Sequence, residues 1–184
     1  MSREFNHDIM SEIIRRWSPR AFDSSKKPER EEILSLIEAA RFSPSCFNEQ
    51  PWRYLIADEG EDLDKLRSVL TDSNRIWAGK APVLIMVLSK KTFDLNGDDN
   101  YWNMFDAGCS WGFLSLEATR RGMITHAMGG FDKTKAMEIF NISKELIPIA
   151  VIAVGYYGDK EDLPEDLKER EHPGDRKSID EILL

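Results

Sequence analysis

The spacing of apolar positions changes several times along the chain, and each change predicts an element. Between His7 and Trp17, the residues Met10, Ile13, Ile14 and Trp17 share one helical stripe, and Pro19 pushes Ser18 out of helix. Pro28 opens a second helix, with Glu29, Glu31 and Glu32 in a first turn that favours negative charge. Its apolar residues Ile33, Leu36, Ile37 and Ala40 keep helical spacing until Ser43-Pro44-Ser45 ends it. WRYLIA, 52–57, reads as a strand, 63–70 as a short helix, and PVLIMVLS, 82–89, as a strand buried on both faces. The longest helix runs over 101–121. Met104, Gly108, Trp111, Ser115 and Ala118 lie along one side with Gly112 nearby, and the small residues allow another helix close approach; Gly122 is its C-cap. Residues 123–128 form a strand, Gly129-Gly130 a turn, 132–140 a helix capped by Asp132, and 147–157 a last strand. Beyond it, 159–184 is a charged surface arm with an apolar end at Ile179, Ile182 and Leu183.

A chain of 184 residues, 41% hydrophobic, is large enough to bury one core, so 1–184 is expected to be a single α+β domain of three layers with helices between the strands. Its net charge of −8 leaves no general positive field for nucleic acid or an anionic membrane. Cys46 and Cys109 lack metal spacing and read as reduced thiols or as one long-range disulfide. The opening MSREFNHDIMSEII has no apolar signal-peptide core, and no run is long enough to span a bilayer. A soluble, cytoplasmic protein is expected. No GxGxxG follows a strand, and no GxxxxGKS/T loop is present, so the usual nucleotide cradles are missing. His7, His126 and His172 are not spaced as metal ligands, and no metal is expected. His126, in a strand, reads more readily as a packed histidine than as an acid.

Three stretches hold candidate chemistry. In RRWSPRAF, 15–22, the arginines either complement a helix C-terminus or, with Ser18, cradle a small anion; arginine forks match phosphate oxygens. In SPSCFNEQPW, 43–52, two prolines stiffen a loop bearing Ser45, Asn48 and Gln50, which serve either as backbone caps or as partners for a ligand with both donors and acceptors. In HAMGGFD, 126–132, the glycines form either a plain turn or a place where backbone N–H groups approach a flat ligand.

The order of these stretches, with Asn74 before APVLIMV and RKSIDEIL near the end, resembles the nitroreductase family of FMN enzymes from about Ile9 to Leu183. The resemblance implies a central, mainly antiparallel sheet flanked by helices, in an intertwined homodimer. It implies noncovalent FMN, NAD(P)H as electron donor, and an electron-poor acceptor such as a nitroaromatic or quinone. Arg16 and Ser18, with Trp17 between them, would take the FMN phosphate. Arg20 would reach the pyrimidine side of the flavin, where a guanidinium stabilises the negative charge that reduction creates. Pro44, Ser45, Cys46 and Asn48 match a loop reaching the partner's flavin, Asn74 an amide at the pyrimidine ring, Gly129 and Gly130 a stretch of backbone N–H donors, and Arg176 a basic residue closing over the phosphate. No side chain is expected to be catalytic, since the flavin carries the chemistry. Trp17, Gly129 and Trp77 depart from the family's common residues, which bears on nicotinamide preference and substrate scope. The alternatives are other flavin chemistry on this scaffold, as in a flavin reductase or reductive dehalogenase, and a noncatalytic FMN-binding or interaction protein.

Overall fold

The apolar run at 83–90 can be buried only if both of its faces are covered, and this requirement organises the molecule. The computed structural model describes residues 5–184. Its elements are α1 (Ser11–Arg15), α2 (Arg30–Arg41), β1 (Trp52–Ala57), α3 (Gly60–Ser68), α4 (Asp72–Ala78), β2 (Val83–Lys90), α5 (Asn103–Arg120), β3 (Ile124–Met128), α6 (Lys133–Ile139), β4 (Leu146–Gly155) and α7 (Glu165–Lys168). The strands form one sheet in the order β1-β2-β4-β3, with every pairing antiparallel. The sheet is thus the antiparallel layer that the resemblance implies.

Alternation along the two inner strands divides the core. Val83, Ile85 and Val87 of β2, with Ile152 and Val154 of β4, pack with Ile33 and Leu36 of α2 and Leu114 and Ala118 of α5. Leu84, Met86 and Leu88, with Val151 and Ala153, pack on the other face with Leu63 and Leu66 of α3, Trp77 of α4 and Ala136 of α6. Three layers result, as expected. Pro148 is accommodated within β4 because the register there skips: Val87 pairs with Ala150 and Leu88 with Pro148, so Ile149 forms a bulge.

Several boundaries differ from the sequence reading. The first helix is one short turn, 11–15 rather than 7–17, because Arg16 already has extended geometry (ψ 130°) and the apolar stripe has little to pack against. Met10 is 58% exposed, and Ile13 and Ile14 about 40%. The helix expected at 63–70 begins at Gly60, and α4 follows it unforeseen, since its apolar residues Ile76, Trp77 and Ala78 are consecutive and give seven residues no readable period. Helix α2 begins after Pro28, with Glu29 and Glu32 forming a reciprocal capping box. Asp132 caps α6 through the Lys135 N–H at 2.9 Å, and Gly122 ends α5 at φ +75°. Both cysteines are free thiols. The stripe on α5 splits: Ser115 and Ala118 are buried, whereas a Cβ on Gly108 or Gly112 would stand in open space. Among the described residues no helix is long and apolar enough to cross a membrane.

Past β4 the chain continues beside residues 21–23. The Asp23 N–H donates to the Tyr156 carbonyl (3.0 Å), and the Gly158 N–H to the Ala21 carbonyl (2.9 Å), around a Phe22–Tyr157 bridge. A Cβ on Gly158 would lie 2.8 Å from the Asp23 nitrogen and 2.9 Å from the Phe22 carbonyl carbon, both backbone atoms. Gly158→Ala must therefore force these segments apart. We expect it to lower stability by about 1–3 kcal/mol, read as a fall in the urea midpoint; an unchanged midpoint would show that the backbone yields freely there.

Candidate functional site

The segment after α1 is extended and runs beneath the sheet's β3 edge, so Arg16, Trp17, Ser18 and Arg20 come to line a cavity of about 410 Å³. His126 of β3 closes it on one side, and Arg170, His172, Gly174 and Arg176 of the C-terminal arm close it on the other. Four guanidiniums thus face one space in an acidic chain. Arg15 goes elsewhere: it pairs with Glu12 on the surface at 3.0 Å, as a plain helix-end cation would.

The cavity wall is built by local bonds. Arg16 Nη1 lies 3.4 Å from Ser18 Oγ. Arg20 stands above the Trp77 ring, 5.9 Å from its centroid, and Trp77 in turn lies 4.4 Å, centre to centre, from His126. Burial first, then the neighbouring Arg170, lowers the Arg20 pKa from its ordinary value, while Glu171 opposes the change. Arginine nevertheless stays charged at neutral pH. Glu171 is itself buried, and its Oε1 accepts from the N–H groups of Arg20 (2.8 Å) and Ala21 (2.9 Å). Arg176 Nη1 donates to the carbonyls of Gly174 and Asp175, which bends its side chain back along the arm.

His126 is both packed and part of the cavity wall. Its Nδ1 lies 2.9 Å from the Pro19 carbonyl oxygen. A carbonyl only accepts, so Nδ1 carries the hydrogen and, in the neutral ring, Nε2 is left as an acceptor. Burial is the main cause of its lowered pKa. The charges of Arg20 and Arg16 act in the same direction, against the hydrogen bonds to the backbone of Pro19 and Ser18.

The other expected site residues do not line this cavity. Pro44, Ser45, Cys46 and Asn48 sit on a separate loop before β1. There Ser45 Oγ accepts from the Gln50 N–H (3.0 Å), and the Cys46 N–H donates to the buried Asp106 (3.1 Å). Phe47, Asn48 and Gln50 all have φ between +51° and +57°, uncommon for side-chain-bearing residues, and Phe47 is 89% exposed. Asn74 Nδ2 donates to the Gly130 carbonyl at 2.9 Å, tying α4 to the turn after β3. Gly130 is packed so closely that a Cβ would meet Asn74 Nδ2 at 2.8 Å, whereas one on Gly129 would meet nothing. His126, Arg170, His172 and Gly174 are wall residues that the sequence reading did not select. For the last three, the signal was the charge density of KEREHPGDRK, which reads as a solvated arm.

The His126 geometry has a consequence for pH. Unfolded, the ring takes a proton as pH falls through its ordinary 6.5, while the folded ring resists protonation. Its contribution to stability is therefore full above about 6.5 and is lost progressively as pH falls below it. We expect His126→Gln to unfold with a flatter pH dependence between pH 7 and 5 than the parent; denaturant midpoints across that range test this, and parallel profiles would refute it.

Comparison with known proteins agrees with the fold. The chain matches the family model described as "Nitroreductase family" over residues 13–76 and 69–156. A solved structure described as an oxidoreductase containing FMN superposes with a TM-score of 0.93 at 34% identity, covering 99% of this chain and 93% of its own. The major NAD(P)H-flavin oxidoreductase of Aliivibrio fischeri is 22% identical, over 96% of this chain and 98% of its own. The oxygen-insensitive NAD(P)H nitroreductase of Salmonella typhimurium strain LT2 is 41% identical over a shorter stretch of 54 residues, 29% of this chain and 25% of its own. The match to the family spans most of the chain, from the arginine motif to the end of the sheet, and the chain belongs to the nitroreductase family.

Proposed function

We propose that this chain is an FMN-dependent oxidoreductase, working as a homodimer, that carries electrons from NAD(P)H to an electron-poor small molecule such as a nitroaromatic or quinone. The observation that carries the reading is the cavity lined together by Arg16, Ser18, Arg20, Arg170 and Arg176, although the chain as a whole carries a charge of −8. That donor set fits a terminal phosphate: guanidinium forks pair with phosphate oxygens, and a hydroxyl supplies a further donor. The FMN named for the structural relative at 34% identity supports the same assignment.

Bound FMN supplies the redox chemistry, accepting electrons from one small molecule and delivering them to another. The chain's own work is to bind, orient and bias. Arg16 and Ser18 hold the phosphate, with Arg176 closing from the arm. Arg20, fixed over Trp77, places a permanent positive charge at the pyrimidine side of the flavin, where negative charge develops on reduction. The loop bearing Ser45 and Asn48 and the stretch bearing Asn74, Gly129 and Gly130 frame the ring system. No nucleophile or proton relay is required of the protein.

The dimer reading draws on apolar surface left exposed among the described residues. Met10, Ile13, Ile14, Trp102 and Phe105 are exposed apolar residues, and the open Gly108–Gly112 face of α5 admits a close neighbour. The Ser45–Asn48 loop, which does not line its own chain's arginine cavity, is then the loop that reaches the partner's flavin.

Purified protein should be yellow and release FMN, not FAD, on heating, as identified by chromatography of the supernatant; FAD alone, or no flavin after reconstitution, would overturn the reading. Arg16→Ala removes a charge-assisted bond of about 1.5–3 kcal/mol, so FMN affinity measured by flavin fluorescence should fall roughly tenfold to a hundredfold.

Sharing of the site is tested with two damaged homodimers, Arg16→Ala and Asn48→Ala. In the mixed dimer one site carries both lesions and the other neither. Isolated from differently tagged, co-expressed chains, this heterodimer should show one site of native FMN affinity. Two equally impaired sites would place both residues on one chain's flavin.

A further inference from the structure

Resting on the preceding assignment of the cavity, we infer that Glu171 is a positioning residue: its carboxylate clamps the C-terminal arm to the Pro19–Ala21 backbone and so sets how the two arginine-bearing walls face each other. Arg20 lines the cavity from the N-terminal segment, while Arg170, His172 and Arg176 line it from the arm, about 150 residues further along the chain. Guanidiniums brought together repel one another, so something must hold the two walls in register.

Glu171 is placed to do so. It is 8% exposed, although both of its neighbours, Arg170 and His172, turn toward the cavity. One oxygen, Oε1, accepts two backbone N–H groups, from Arg20 at 2.8 Å and Ala21 at 2.9 Å. These are charge-assisted bonds to the backbone, so they fix the chain itself at the residue whose side chain enters the cavity. The arm before this point is anchored by Leu163 and Leu167 in the core. Beyond it, Arg176 bonds only to its own neighbours Gly174 and Asp175 in the hydrogen bonds described above. Among the described residues, Glu171 is thus a side chain that ties the arginine-bearing part of the arm to the body of the fold. The second oxygen, Oε2, is buried with no hydrogen-bond partner among the described residues. An acidic group desolvated this far is costly to keep unless the bonds made by its other oxygen offset the cost.

A clamp and a counter-charge make different demands on this position. An amide oxygen can accept the same two N–H bonds but carries no charge, so Glu171→Gln preserves a clamp and abolishes a counter-charge. Glu171→Ala abolishes both. Glu171→Asp keeps the charge but draws it back by one methylene. We would compare these variants with the parent by FMN titration and, without FMN, by amide hydrogen exchange at Arg20 and Ala21. The expected result is FMN affinity weakened roughly tenfold or more in Glu171→Ala and restored to within about threefold in Glu171→Gln, with exchange protection at the two amides lost and regained in parallel. Glu171→Gln behaving like Glu171→Ala, or Glu171→Ala binding FMN like the parent, would overturn the clamp. If Glu171→Ala does not fold, Glu171→Asp decides instead: weakened FMN binding and faster exchange support the clamp, and parental values refute it. A parent protein that binds no FMN would defeat the functional assignment alone, since exchange at Arg20 and Ala21 would still decide the role of Glu171.

Discussion

The short antiparallel pairing of 21–23 with 156–158 is the contact on which the site depends. It consists of the Asp23–Tyr156 and Gly158–Ala21 backbone bonds, with Phe22 driven into the core beside Trp77. Because β4 is the inner strand that pairs with both β2 and β3, its continuation is the most firmly located place to which an N-terminal segment can attach. Tethering Ala21 there puts Pro19 within hydrogen-bond reach of His126 on β3 and Arg20 above Trp77 of α4. The same continuation launches the arm, which returns with Glu171 to the same turn. Three segments far apart in sequence converge because one strand end serves them all.

How much of this could be read from the sequence followed from which interactions are local. The strands at 52–57 and 83–90 were legible because burial on a pleated surface writes a short apolar run, and α5 because eighteen helical residues keep their period long enough to be counted. Helix α4 is hard to read because its three apolar residues are consecutive and make no helical pattern, although Thr71 before it and Gly79 after it are ordinary boundary residues. The first helix was overextended for the opposite reason: Met10, Ile13 and Ile14 do form a stripe, but one that this chain does not bury. Periodicity reports that a face is apolar; it does not report what covers it.

The site divides in the same way. RRWSPRAF was legible because cations, a hydroxyl and a proline are adjacent in sequence, and the cavity keeps Arg16, Ser18 and Arg20 together. Arg170 and His172 were hidden in a charge run whose composition is that of any solvated tail. Glu171 illustrates the difficulty best. In sequence it is one acid among many, and its two backbone bonds span about 150 residues, a separation at which local chemistry leaves no trace. His126 was read as a packed side chain and is one, against Trp77; that packing is what sets it in the cavity wall.

Electrostatics explains why a chain with an excess of acids concentrates cations at one point. Several surface carboxylates pair with basic residues three or four positions away, as in Glu117 with Arg120 and Arg121, and there their fields cancel locally. In the cavity the bonds differ: Glu171 Oε1 accepts from backbone N–H groups, and Arg176 Nη1 donates to carbonyls. A partly enclosed space lined by four arginines focuses a positive potential that the net charge conceals. Their mutual repulsion also has a structural consequence. On the proposed function, a dianion entering the cavity would convert that repulsion into attraction, and binding would draw the arm toward the body of the fold. Affinity and order of the arm are then two readings of one free energy, linked by mass action. The bridge at 21–23 fixes the N-terminal wall, and the proposed Glu171 clamp holds the arm beside it.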